Sequence, residues 1–179
     1  TQALIDKILH AYDKTVILDA DACTHFTPET IEELNNCPGE LILTPHWGEF
    51  GKMTGHSKGD LAENRLEIAR DFATEFNLTL VLKGAPTIIT NASGHVFINP
   101  NGNPGMASAG TGDVLAGIIA GLAGQGIPPI DAAVVACYLH GLAGDMAAED
   151  LTQLSLTAGS LIAYLPEAIG FIQSYYDHV

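Results

Sequence analysis

Asn103-Pro-Gly-Met-Ala-Ser-Ala-Gly-Thr-Gly-Asp-Val-Leu-Ala-Gly117 is a glycine-rich loop that runs directly into an apolar helix, with one carboxylate, Asp113, at its mouth. Gly110 and Gly112 open backbone angles closed to other residues and let a ligand approach the main chain. The unpaired amides of Gly110-Thr111-Gly112, at the first turn of that helix, and the helix dipole together attract an anion such as phosphate. An acid in the same turn repels phosphate unless it has work to do, such as taking a proton from a hydroxyl about to attack. Asp113 is therefore either a general base or a first-turn cap, a position where Asp is common.

The charge distribution bears on that choice. The formal net charge is −14, with only 7 Lys plus Arg, and none of these lies beyond Lys83. An anion held by the loop must therefore be held by backbone amides and a helix terminus, and glycines at 102, 105, 110, 112 and 117 stand where such a nest needs them. The same shortage of cations argues against a nucleic-acid partner, which requires a basic face.

With 179 residues, 47% hydrophobic and 16% charged, the chain has the size and composition of one globular domain with a substantial core, here taken as residues 1–179. No signal-peptide pattern opens it, and Gly, His, Asp or Pro interrupts its most apolar segments, so no membrane span is expected and a cytoplasmic location is. Cys23, Cys37 and Cys137 are odd in number and lack a Cys-x-x-Cys pair, so neither a disulfide frame nor a metal site is expected of them.

Apolar periodicity places helices near 1–12, 29–35 and 57–76, and strands at 15–19, 40–44, 79–83, 87–91 and 95–98, with Asn-Ala-Ser-Gly at 91–94 as a hairpin turn. Helices are expected near 111–124, 129–149, 155–164 and 166–176, the last two divided by Pro166. Alternating strands and helices imply an α/β fold with a mostly parallel sheet covered on both faces.

In such sheets the ligand crevice lies at the carboxyl ends of the strands. After the first strand, Asp19-Ala-Asp21 offers two carboxylates for a polar substrate, for magnesium through water, or for a turn contact. After the second, His46 and Glu49 can share the first turn of a helix, as ligand-binding groups or as a cap. After the third, Lys83-Gly-Ala-Pro-Thr87 carries the last cation, which either reaches nucleotide phosphates or snorkels to solvent. His10, His25, His56, His95, His140 and His178 show no ligand spacing and are expected to be structural or exposed.

Together, Leu18-Asp-Ala-Asp-Ala22, Leu43-Thr-Pro-His-Trp-Gly-Glu49, Val81-Leu-Lys-Gly84 and the opening loop resemble, in order and spacing, the ADP- or ATP-dependent NAD(P)H-hydrate dehydratases. That resemblance implies a ribokinase-like three-layer α/β/α fold. It also implies transfer of a nucleotide's terminal phosphoryl group to the C6 hydroxyl of hydrated NADH or NADPH, followed by loss of phosphate, with Mg2+ as cofactor. By position, it makes His46 and Asp113 substrate-binding, beside Asp21 from the end of the first strand, and lines the nucleotide with Lys83, Gly84, Ala85, Pro86, Thr87 and Gly112. It makes Asp113 the base and Gly110, Thr111 and Gly112 the anion hole. Trp47 stands where the family has proline. The family also carries an amino-terminal portion with a Gly-Pro-Gly turn and several strands that this chain lacks. The resemblance therefore implies either an oligomer or partner chain supplying the missing half, or a fragment of lowered activity. The competing readings are a vitamin-precursor kinase of the same superfamily and a non-catalytic nucleotide-binding module.

Overall fold

Five short strands carry the structure, a computed structural model that describes residues 2–176. Thr1 and His178, at the ends of the expected helices and histidines, lie outside the described residues. In chain order the elements are α1 (Gln2–Ala11), β1 (Val16–Leu18), α2 (Asp21–Thr24), a 3-10 turn (Ile31–Asn36), β2 (Leu41–Leu43), α3 (Trp47–Thr54) and α4 (Lys58–Glu75). There follow β3 (Thr79–Leu82), β4 (Thr87–Thr90), β5 (Val96–Asn99), α5 (Thr111–Ala123), α6 (Pro129–Leu151) and α7 (Ala158–Tyr176).

The sheet order is β1-β2-β3-β4-β5. β1 pairs with β2 and β2 with β3 in parallel, whereas β4 is antiparallel to both β3 and β5. Four of the five strands consequently point the same way, and β4 alone runs against them.

The two faces of the sheet take alternate residues. Val16, Leu18, Leu41, Leu43, Leu80, Leu82 and Ile88 face a core filled by Ile5 and Leu9 of α1, Phe50 and Met53 of α3, and Leu61 and Phe72 of α4. Ile42, Val81 and Ile89 face Leu115 and Ile119 of α5 and Ala133, Ala136 and Cys137 of α6. Helix α7 packs outside this layer, setting Ala168 against Leu139 and Ala143 of α6.

Pro166 does not end a helix as expected: α7 runs through it. Proline removes one helical donor and leaves the carbonyl four residues back unpaired. That carbonyl belongs to Ile162, on the exposed side of the helix, while Leu161 and Ala168 on either side are buried and hold both halves in line. The helix expected near 29–35 is a 3-10 turn instead, and the expected start at 155 is a separate 3-10 turn, Gln153–Ser155. Helix α2 is additional to the expected elements, and α3 is the helix whose first turn His46 and Glu49 were expected to share. Among the described residues α6 has the length and composition of a bilayer-crossing helix, but half of its most apolar stretch is buried inside the protein, as in a core helix. Its abundance of Ala and Gly reflects close packing against the sheet, α5 and α7.

Candidate functional site

Three adjacent strands end in one polar cluster. Asp19 follows β1, Thr44 follows β2 and Lys83 follows β3. The Lys83 ammonium lies 2.6 Å from Asp19 Oδ1, and the Thr44 hydroxyl donates to the same oxygen at 2.8 Å. The parallel register extends past the regular strands, since Lys83 N donates to Pro45 O at 2.9 Å and His46 bridges Lys83. Lys83 and Asp19 are mostly shielded, with 22% and 14% of their side chains exposed, so the pair is screened less than a surface ion pair. Of the two carboxylates at the end of β1, Asp19 joins this cluster. Asp21 opens α2 with an exposed side chain. Ala20 between them adopts φ 51°, the left-handed region, which turns the chain sharply and sends the two acids in different directions.

Beneath the cluster, the Cys23 thiol donates to Leu18 O at 3.2 Å. Burial, aided by the nearby charges of Asp19 and Glu49, pushes this thiol up to about 12, against a backbone hydrogen bond from Thr44. Burial pushes Cys137 up to about 12 as well. Both stay protonated and unreactive at neutral pH.

The first turn of α5 sits over the ion pair. A methyl group placed on Gly112 would lie 3.5 Å from the Lys83 ammonium and 3.7 Å from Asp19 Oδ2. Gly110 precedes the helix at φ 88°, a conformation that costs glycine little, and among the described residues no side chain caps the turn. The Thr111 hydroxyl reaches back to Met106 O and Ser108 O at 2.8 and 2.9 Å. Gly112 and Asp113 therefore present backbone amides with no partner among the described residues.

Two residues from α6 hold this turn and its loop, and neither stands out in the sequence. His140 Nε2 donates to Thr111 O at 2.9 Å. Burial pushes His140 down from its ordinary value, and the positive charge of Lys83 does so further, against the hydrogen bond to Thr111, so the ring is neutral at physiological pH. Asp145 accepts from Gly102 N and from Asn103 Nδ2, each at 2.9 Å, and Asn103 Nδ2 also donates to Gly144 O. A polar residue interrupting the apolar run Leu139-His-Gly-Leu-Ala-Gly-Asp145 was the available signal.

Asp113 makes no side-chain hydrogen bond among the described residues, so here it does not cap the helix. Asp113 lines an open groove of about 670 Å3, together with Val114, Ile118 and Leu122 of α5 and Ile162, Leu165 and Ile169 of α7. With about 100° per residue, Asp113 occupies the helix face next to the one that Gly112 turns toward Lys83.

His46 begins α3 as its cap. Its Nδ1 accepts from Gly48 N and Glu49 N at 3.0 and 3.1 Å, while Glu49 accepts from His46 N at 2.8 Å. An acceptor at Nδ1 places the proton of the neutral ring on Nε2, 3.4 Å from Glu49 Oε1. The cap thus fixes the tautomer and leaves Nε2–H as a donor on an exposed side chain, beside the Glu49 carboxylate. The next residue, Trp47, supports the loop after β3. A methyl group on Gly84 would fall 2.5 Å from Trp47 Nε1, and Arg65 stacks on the indole from 4.8 Å. Thr87 closes the same loop by donating to Gly84 O at 3.0 Å, with Ala85 and cis Pro86 between them.

The sequence family described as NAD(P)H-hydrate dehydratase matches residues 1–167. The chain belongs to this family. It is 47% identical over 166 residues to the bifunctional NAD(P)H-hydrate repair enzyme Nnr of Moorella thermoacetica, covering 93% of this chain and 31% of that protein. Its fold superimposes with a TM-score of 0.82 and 36% identity on the ADP/ATP-dependent NAD(P)H-hydrate dehydratase of Bacillus subtilis, co-crystallized with ATP/Mg2+, over 94% of this chain and 58% of that one. A ribokinase-like superfamily protein of Enterococcus faecalis superimposes with a TM-score of 0.71 and 31% identity, over 93% and 58%. The fold is thus ribokinase-like, as the motifs implied, and the NAD(P)H-hydrate dehydratase relatives extend well beyond the length of this chain.

Proposed function

We propose that this chain forms the nucleotide-binding and phosphoryl-transfer end of an enzyme that uses ADP or ATP to dehydrate hydrated NADH or NADPH. The observation that carries the reading is the meeting of Lys83, the unpartnered amides of Gly112 and Asp113, and an uncapped Asp113 carboxylate at a single helix start. In this reading Lys83 and the Gly84, Ala85, Pro86 and Thr87 loop line the nucleotide. Of the anion hole expected at Gly110, Thr111 and Gly112, the Thr111 amide is already bonded to Ser108 O at 3.4 Å, so the amides of Gly112 and its neighbour Asp113 receive the phosphoryl group in flight. His46, through its Nε2–H, and Asp21 contact the hydrated nicotinamide.

Asp113 takes the proton from the C6 hydroxyl as that oxygen attacks the terminal phosphorus, and the nucleotide departs one phosphoryl group shorter. Loss of phosphate from C6 and a proton from C5 then restores the ring double bond. Neutral His140 keeps the first turn of α5 in place without adding a second positive charge beside Lys83. Asp19 Oδ2 lies beside Gly112 without a donor among the described residues, and this suits a water-mediated contact to a nucleotide-bound Mg2+, which typically keeps several waters. When bound, that ion would neutralise phosphate charge.

The bulk of the hydrated dinucleotide needs more wall than the groove at Asp113 supplies. A further segment, in the same polypeptide or in a partner chain, completes the pocket over that groove, and a cytoplasmic location goes with these substrates. The test supplies the protein with hydrated NADH and ADP, then ATP, and follows absorbance at the reduced-nicotinamide band. Recovery of NADH supports the reading. Nucleotide binding by calorimetry without recovery, in protein carrying the amino-terminal portion seen in relatives, would reduce it to a binding module, and phosphorylation of a vitamin alcohol instead would favour the kinase.

A further inference from the structure

On the face of the sheet opposite α5, the fold brings three side chains together that the sequence keeps apart. Asp6 lies on α1, His25 follows α2 and Glu33 lies in the 3-10 turn, yet one potential ligand atom from each lies within 4.8 Å of the others. His25 Nε2 stands 3.2 Å from Asp6 Oδ1 and 3.9 Å from Glu33 Oε2. The His25 side chain is only 9% exposed, and its ring packs edge-on against Phe26 with centroids 5.0 Å apart, so its direction is fixed by the core. The two carboxylates are 44% exposed, which leaves the cluster open on one side.

Hydrogen bonding alone leaves this cluster incomplete. A neutral imidazole donates one hydrogen bond through Nε2, and Asp6 takes it. Glu33 then has no side-chain donor among the described residues, and neither carboxylate has a Lys or Arg partner there, although two acids converge on one nitrogen. A shared cation resolves the arrangement. Metal–ligand bonds of about 2.0–2.2 Å set tetrahedral donor atoms about 3.3–3.6 Å apart, a spacing that the observed 3.2 and 3.9 Å bracket.

We infer that Asp6, His25 and Glu33 bind a divalent transition ion of the Zn2+ type, with water completing the coordination. One imidazole nitrogen with two carboxylate oxygens suits zinc, cobalt or manganese better than magnesium, which prefers oxygen alone. The ion ties α1 to the body of the domain. It is separate from any Mg2+ carried by a nucleotide.

The experiment titrates metal-free protein with Zn2+ and Co2+ at neutral pH, without nucleotide, by calorimetry and by the visible absorption of bound Co2+. One ion per chain and a saturating rise in melting temperature are expected. Glu33→Gln keeps the His25–Asp6 hydrogen bond and should weaken binding at least about tenfold, the lower bound seen when even an outer-shell partner is lost. His25→Gln should abolish it, whereas Cys37→Ser, which removes a half-buried thiol able to take zinc elsewhere, should leave it unchanged. Absence of saturable binding, binding undiminished in Glu33→Gln, or binding lost in Cys37→Ser would each overturn the assignment. If His25→Gln fails to fold, Glu33→Gln decides.

Discussion

Lys83 reaches across the end of β2 to Asp19, 2.6 Å away, with the Thr44 hydroxyl of the intervening strand bound to the same carboxylate oxygen. The ammonium is thus aimed and held before any phosphate arrives. Lys83→Met should weaken nucleotide binding at least tenfold. A double-mutant cycle with Asp19→Asn, followed by urea unfolding, should give a coupling of about 1–3 kcal/mol, the range for a charged hydrogen bond that is largely shielded. Additive losses in the cycle would show that the two residues act separately.

Among the described residues Asp113 has no side-chain partner to lose. Asp113→Asn in the full-length protein should leave melting temperature and nucleotide affinity nearly unchanged while turnover falls by about two to four orders of magnitude, the contribution of general base catalysis. A matching fall in stability, with turnover per folded molecule preserved, would return Asp113 to a structural role.

His140 gives a stability signature in pH. Its folded value is depressed by burial, so below the ordinary histidine value of about 6.5 the unfolded chain takes up the proton more readily than the folded one. The stabilisation is therefore complete above about pH 6.5 and declines as pH falls through the depressed folded value. Chemical denaturation should show His140→Gln, which can still donate to Thr111, losing less stability than the parent over that interval. Parallel pH curves for the two proteins would contradict the assignment.

Gly84 and Trp47 fit only as a pair. Gly84→Ala drives a methyl group to 2.5 Å from the indole nitrogen and should displace the loop from Lys83 to Thr87, costing about 1–3 kcal/mol of stability and raising the KM for nucleotide. Trp47→Leu in that background should recover most of the KM. Failure of the second substitution to do so would mean that the loop is held by something other than the tryptophan.

How much of this was legible beforehand depended on how local each signal is. Leu80-Val81-Leu82 and Thr87-Ile-Ile-Thr90 announce buried strands, and the glycines around Asp113 mark the loop, because their spacing alone constrains the backbone. That Asp19 and not Asp21 pairs with Lys83 follows from the turn at Ala20, whose positive φ no composition rule foretells. Pro166 marks a helix break locally, and only the packing of Leu161 and Ala168 overrules it. His140 and Asp145 lie 29 and 42 or 43 residues from the groups they hold, and His25 lies 19 residues from Asp6, so their roles exist only in the folded chain.

The lone reversed strand has a consequence of parity. Two changes of direction, into β4 and out of it, cancel, so β5 leaves the sheet at the end where β1, β2 and β3 also leave it. A single reversal would have delivered the chain to the opposite end, roughly 13 Å away for a strand of this length. The hairpin works as a switchback: it carries the backbone outward by two strand widths and returns it, without a crossover helix, to the side where Asp19, Thr44 and Lys83 wait. Shortening or lengthening it by whole strands is tolerable for the fold only in pairs if Asp113 is to arrive where the cation is.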